Sequence, residues 1–276
     1  MESVAEELLE ELMSYLRDAA VEEILPRFGS VSSDSKRAKT SFDDIVTDAD
    51  IASEHLIAEK LRTRLPDIVI IGEEAVSEDP SLLDRLSGAD LAAVIDPLDG
   101  TWHFAHGSPM FGSILAIVSR GRTIAGIIHY PVLGDFLMAR PGGGAWHVGA
   151  DGARTRLAVA GGGSVNEMQG FAAVHAFEAQ TRASVALGVL NFSRVTSWRC
   201  SAWEYRMLAT GAMSFCLNEG MNPWDHAAGI LIHAEAGGYA ATTTGQPYRP
   251  AVAKGHLLAA PDGQSWKAIL EALSYR

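Results

Sequence analysis

The feature that most constrains the fold is a change of rhythm near the middle of the chain. From Phe111 to Trp146 short apolar runs are broken by Gly and Pro, in "FGSILAIVS", "TIAGIIHY", "GDFLMARP" and "GAWHV". This predicts a meander of antiparallel strands. Beyond about residue 150 the pattern alternates instead: "GFAAV", a helix around Glu178 to Val189, "RVTSW", a helix from Ser201, "MSFCL", a helix from Asp225, "GYAAT", "HLLAA" and a last helix from Asp262. A chain that does both must layer helices on more than one sheet, so the expected class is α+β passing into α/β.

The segments ahead of the meander fit the same plan. Val4, Leu8, Leu9, Leu12, Met13, Leu16, Ala20 and Ile24 recur at helical spacing and predict a first helix ending near Pro26. Residues 29 to 43 are polar and aperiodic and read as a loop. A second helix is expected from about Asp48 to Leu65, and "DIVIIG" reads as a buried strand delivering Glu73 and Glu74. With 276 residues, 47% of them hydrophobic, the chain can bury a large core. The expectation is one domain over residues 1–276, with an N-terminal lobe to about 150 and a C-terminal α/β lobe from 151 to 276.

Charge narrows the partners. Twenty-two basic against 34 acidic residues give a net charge of -12 without a long basic block, which argues against nucleic acid, whose binding rests on neutralised phosphates. No apolar run approaches the ~20 residues of a membrane span. The acidic, amphipathic N-terminus lacks the basic and apolar regions of a signal peptide. Cys200 and Cys216 have no CxxC spacing and are expected to be reduced core residues. A cytoplasmic protein is the expectation.

Chemistry enters with "LAAVIDPLDGTWHF", Leu91 to Phe104. An apolar strand running into Asp96 and Asp99 brings together two carboxylates that repel each other and are costly to bury unpaired, so the arrangement calls for a metal or a shared proton. Pro97 bends the backbone, Gly100 removes a Cβ where a ligand would approach, and Thr101 could open a helix whose free N–H groups bind an anion. Oxygen-ligated Mg²⁺ beside a phosphate suits this set. A solvated Asp-Pro or Asp-Gly turn is the plain alternative. Likewise Asp225 in "NPWDHAAG" and Asp48 in "DDIVTDAD" could be simple helix caps, and Glu73 and Glu74 a surface pair. The recurrence of such carboxylates in one chain favours a shared site.

The segments "DIVTDAD", "IGEE", "IDPLDGT" and "WDHAAG", in this order, resemble the signatures of the inositol monophosphatase family of Mg²⁺-dependent, lithium-sensitive phosphatases, from about Asp44 to Gly238. The resemblance implies a layered αβαβα sandwich of the sugar-phosphatase type and a homodimer. It implies that Glu73, Asp96 and the Leu98 carbonyl hold one Mg²⁺, that Asp96, Asp99 and Asp225 hold a second, and that Glu73 contributes through water to a weaker third. Asp44 and Thr101 would activate the attacking water, the Gly100 and Thr101 amides would meet the phosphate, and Lys39 or Lys36 would lie near it. Two or three ions would offset about four carboxylate charges that otherwise repel a phosphate dianion, and would acidify a water.

The substrate side departs from the family pattern. Cys200 and Trp203 replace small residues, while Ser201 and Ala202 keep the pattern and are expected at the substrate, as is Asp225. Asn218 stands where the animal enzymes carry a glutamate for inositol hydroxyls, with Glu219 one place late, and His103 replaces an asparagine. None of the nine histidines has a metal-ligand spacing such as HExxH, so core or surface roles are favoured over zinc. The expected function is hydrolysis of a small polyol or sugar phosphate such as inositol 1-phosphate. The same chemistry on histidinol phosphate, fructose 1,6-bisphosphate or an adenosine bisphosphate is the alternative, and a non-catalytic binding protein on the same fold is a second.

Overall fold

The computed structural model describes residues 4–29, 36–38 and 45–274. Helix α1 (Glu6–Ala19) continues through a π turn over Ala20–Ile24. A short ribbon pairs β1 (Lys36–Ala38) with β2 (Ile45–Thr47) and leads into α2 (Asp48–Arg64). Then follow β3 (Val69–Gly72), α3 (Glu73–Glu78), α4 (Leu82–Gly88), β4 (Leu91–Asp99) and α5 (Thr101–Ala105). The meander is β5 (Gly112–Ser119), β6 (Arg122–Tyr130), β7 (Asp135–Arg140), β8 (Gly144–Val148) and β9 (Arg154–Arg156). Strands β3 to β9 form a seven-stranded sheet in sequence order, antiparallel except for the parallel pair β3 and β4.

The alternating part contributes β10 (Gln169–Ala172), α6 (Ala179–Gly188), β11 (Arg194–Thr196), α7 (Ser201–Ala209), β12 (Phe215–Glu219), α8 (Pro223–Glu235), β13 (Tyr239–Thr242), β14 (His256–Ala260) and α9 (Gly263–Ala272). Its sheet has the order β11-β10-β12-β14-β13, with parallel pairing of β10 to β11 and β12.

Side-chain alternation along the strands explains the layering. In β5, Leu115 and Ile117 join a core with Leu12, Leu16, Ile57 and Leu61 of α1 and α2, whereas Ile114, Ala116 and Val118 face Tyr205, Leu208, Ala228 and Ile232 of α7 and α8. Phe171, Cys216 and Ala259 of the second sheet close that middle core from the far side. Phe215, Leu217 and Leu258 on its other face pack with Val185 of α6 and Trp266 and Ile269 of α9. The result is the expected α-β-α-β-α sequence of layers. Both sheets are covered on both faces, so their central strands read as continuous apolar runs rather than alternating ones.

Strand β4 carries at its end the two carboxylates read there from the sequence, across a register shift in which Asp96 faces Ile114 and Asp99 faces Gly112. The extra residue falls at Pro97 and Leu98, and a bulge is where a strand tolerates a proline without N–H. Thr47, not Asp48, caps α2, through a capping box with Asp50. Helix α8 opens at Pro223 after Asn222, so Asp225 lies inside its first turn and is not its cap.

Candidate active site

Strand β3 runs parallel to β4 with Gly72 opposite Ile95, so the next residues, Glu73 and Asp96, emerge side by side. The bulge then turns Asp99 toward the same region, and the first turn of α8 brings Asp225 to it from the middle layer. One carboxylate oxygen from each of Asp96, Asp99 and Asp225 lies within 4.8 Å of the others, a group that can hold a metal ion. Its donors are all hard oxygens, and the helix N-terminus beneath Asp225 favours negative charge.

The cluster is electrostatically strained. Asp96 is 2% exposed, and burial, followed by the charges of Glu73, Asp99 and Asp225, pushes its carboxyl well above the usual range. Asp225 is raised by burial and by Asp99 and Glu73. Asp99 is raised by burial to about 6, less than its surroundings alone would give, because the Ala202 N–H donates to its Oδ2 at 2.5 Å and the Cys200 thiol at 3.0 Å. Glu73 stands outside the tight group of three but leads the charges acting on Asp96.

Gly100 joins β4 to α5 with φ 86, and a Cβ there would lie 2.7 Å from the Met110 carbonyl oxygen, so both conformation and space require glycine. Thr101 follows as the first residue of α5. Its Oγ1 lies 2.9 Å from both the Leu98 carbonyl and Asp50 Oδ1. Asp50 is 1% exposed, and burial raises its carboxyl to about 7 against the bonds from Thr47 and Thr101. Its other oxygen accepts from the Thr47 N–H at 2.9 Å and hydroxyl at 2.5 Å.

Asp50 is the residue the sequence reading missed. Asp44 and Lys39 lie outside the described residues, as does the Lys36 side chain. The available signal was the spacing Thr47-x-x-Asp50, which places an acid in the first turn of α2.

On the substrate side, Ser201 and Ala202 open α7, and the Ala202 amide is committed to Asp99. Asn218 shares the face of β12 that carries Cys216, whereas Glu219 lies on the face of Phe215 and Leu217. Glu219 therefore cannot take the place of Asn218 without a register slip. Trp203 donates to the Phe111 carbonyl at 3.1 Å and packs on Tyr130. His103 is a strut, with Nε2 2.7 Å from the Trp198 carbonyl and Nδ1 3.2 Å from Ser108 Oγ. His226 is buried against Tyr205, its pKa lowered by burial to about 4. Both cysteines are buried free thiols.

Behind Asp99 sits a further buried acid. Glu204 accepts from the Trp198 N–H at 2.9 Å, and burial raises it to about 7. Between its unfolded value of about 4.3 and about 7 the folded protein keeps a proton that the unfolded chain releases. This group therefore lowers stability as pH rises through that window, by ~3 kcal/mol once fully ionised. Glu204→Gln, neutral at every pH, is expected to gain stability relative to wild type between pH 5 and pH 8 in urea titrations with chelator present. An identical difference at both pH values would show that Glu204 is ionised throughout.

The model of the inositol monophosphatase family matches residues 4–275. The chain belongs to this family. A fructose-1,6-bisphosphatase/inositol-1-monophosphatase of Thermotoga maritima is 33% identical over 218 residues, 77% of each chain. A histidinol-phosphatase of Chlorobaculum parvum is 30% identical over 196 residues, 71% of each. The solved structure of a Thermotoga maritima IMPase superposes with a TM-score of 0.80 at 26% identity, covering 97% of both chains. Membership makes this protein a phosphoric monoester hydrolase. None of the described helices is long and apolar enough to cross a membrane.

Proposed function

We propose that the protein is a Mg²⁺-dependent phosphomonoesterase acting on small polyol or sugar phosphates. The observation that carries the reading is the grouping of Asp96, Asp99 and Asp225 within 4.8 Å, flanked by Glu73 and by the Thr101–Asp50 pair. The fit to Mg²⁺ rests on an all-oxygen donor set in which burial and then mutual repulsion disfavour the carboxylates' negative charge, a cost that a divalent ion would offset. Glu73, Asp96, Asp99, Asp225 and the Leu98 carbonyl would hold it, and bound Mg²⁺ would supply the charge that draws in a phosphate dianion and acidifies water.

The chain's own groups do the rest. Thr101 Oγ1 can accept a proton from water while passing its own to Asp50, whose carboxyl, raised to about 7, is matched to proton transfer near neutral pH. No side chain is needed as a covalent nucleophile. The N-terminal amides of α5, which follow the left-handed turn at Gly100, are the donors for phosphate oxygens.

Substrate choice follows from Asn218. A glutamate accepts hydrogen bonds from two vicinal hydroxyls, whereas asparagine offers one acceptor and two donors, and here its Oδ1 already faces the Cys216 thiol at 3.3 Å. A site without such a partner discriminates weakly between alcohols. Relatives named for fructose bisphosphate, inositol phosphate and histidinol phosphate support the same breadth. Phosphate release from inositol 1-phosphate, glycerol 2-phosphate, histidinol phosphate and fructose 1,6-bisphosphate should give kcat/KM values within about tenfold of one another, about 1.4 kcal/mol. Asn218→Glu should shift preference toward inositol phosphate. A wild type that strongly prefers inositol phosphate and is unimproved by the substitution would refute this argument.

A further inference from the structure

Helix α3 is six residues long and begins at Glu73, yet its N-cap is Gly72, which has no side chain to satisfy the first N–H groups. The cap comes from elsewhere. Glu54, one turn beyond Asp50 on α2, accepts from the Glu74 N–H through Oε2 at 2.9 Å and from the Ala75 N–H through Oε1 at 3.0 Å. Glu54 is 4% exposed.

Gly72 makes room for this contact. A Cβ on Gly72 would fall 2.2 Å from the Glu54 carboxyl carbon, while its φ of -97 is open to any residue. Glycine is therefore required here by the Glu54 carboxylate and not by backbone conformation. Placing that carboxylate beside Glu73 and the aspartate cluster adds negative charge to a crowded region, so the two N–H bonds must do something that offsets the repulsion. What they fix is the first turn of α3, and with it the direction in which Glu73 leaves the backbone.

We propose that Glu54 is a positioning residue for Mg²⁺: capping α3 from α2 holds the Glu73 carboxylate beside Asp96 in its metal-binding orientation. The proposal rests on the reading of Glu73 as a Mg²⁺ ligand. Both Glu54 oxygens are taken up by the Glu74 and Ala75 N–H groups, so its role runs through Glu73. Groups that orient metal ligands typically change affinity by about 10- to 100-fold when altered.

The test perturbs the contact from both ends. Glu54→Gln keeps the shape but turns an NH₂ donor toward one of the two N–H groups; Gly72→Ala displaces the carboxylate without touching its charge. Mg²⁺ binding is measured by titration calorimetry on the full chain, alongside the Mg²⁺ dependence of turnover and the urea midpoint. Both variants should bind Mg²⁺ about tenfold or more weakly, with kcat at saturating Mg²⁺ within a few-fold of wild type. Leu61→Ala, which opens a cavity in the distant α1–α2 core, controls for lost stability and should leave Mg²⁺ affinity unchanged. Wild-type affinity in both contact variants would overturn the proposal, as would an equal loss in Leu61→Ala. A wild type that binds no Mg²⁺ would instead overturn the metal reading itself.

Discussion

Asp96→Asn is expected to abolish turnover and cut Mg²⁺ affinity while making the metal-free protein more stable. Asp96 is nearly inaccessible and is acted on by the charges of Glu73, Asp99 and Asp225 together, so one neutralisation removes a ligand of the proposed metal site and part of this repulsion at once. Asparagine keeps the short contact in which the Leu98 N–H donates to Asp96 Oδ1 at 3.1 Å, so the bulge should hold. Losing several kcal/mol of transition-state stabilisation corresponds to at least ~10³-fold in kcat/KM. Phosphate release, calorimetry with Mg²⁺ and urea unfolding in chelator measure the three effects. Wild-type turnover in the variant, or full wild-type turnover in excess chelator, would sink the metal mechanism.

Thr101→Ala should fail differently. Its hydroxyl connects the reacting water to Asp50 in the proposed mechanism and carries little metal affinity, so kcat should fall by ~10²- to 10⁴-fold. KM and Mg²⁺ affinity should stay within a few-fold, the pattern of an interaction made in the transition state. Asp50→Asn should lower kcat similarly but also weaken the capping box with Thr47, at about 1 kcal/mol of stability. A Thr101→Ala enzyme altered only in KM would make the hydroxyl a binding group.

These residues were unequally legible in the sequence. The meander and the alternating half could be read because apolar runs and turn residues are local signals, and Asp96, Asp99 and Asp225 were singled out because their segments resemble the inositol monophosphatase signatures. Asp50 was harder to single out, because its contact with Thr101, brought from the end of β4, depends on the fold; Asp44 lies outside the described residues. Glu54 gave no signal at all, since its partner N–H groups belong to a helix twenty residues on. Contacts between elements, unlike periodicity, leave no trace in the order of residues.

The carboxylate cluster draws on two distant parts of the chain, β4 and the first turn of α8, held in different layers. An unfolded chain would have to close a long loop to bring Asp96 and Asp225 together, and the free energy of that closure is supplied by the packing of the middle layer. The N-terminal half therefore carries most of the cluster but completes it only when α8 brings Asp225 to it. In the proposed reading an ion bound there would act as a latch across the interior: it would favour only those states in which α8 is docked on the first sheet, and so tie the supply of divalent cation to the integrity of the whole fold.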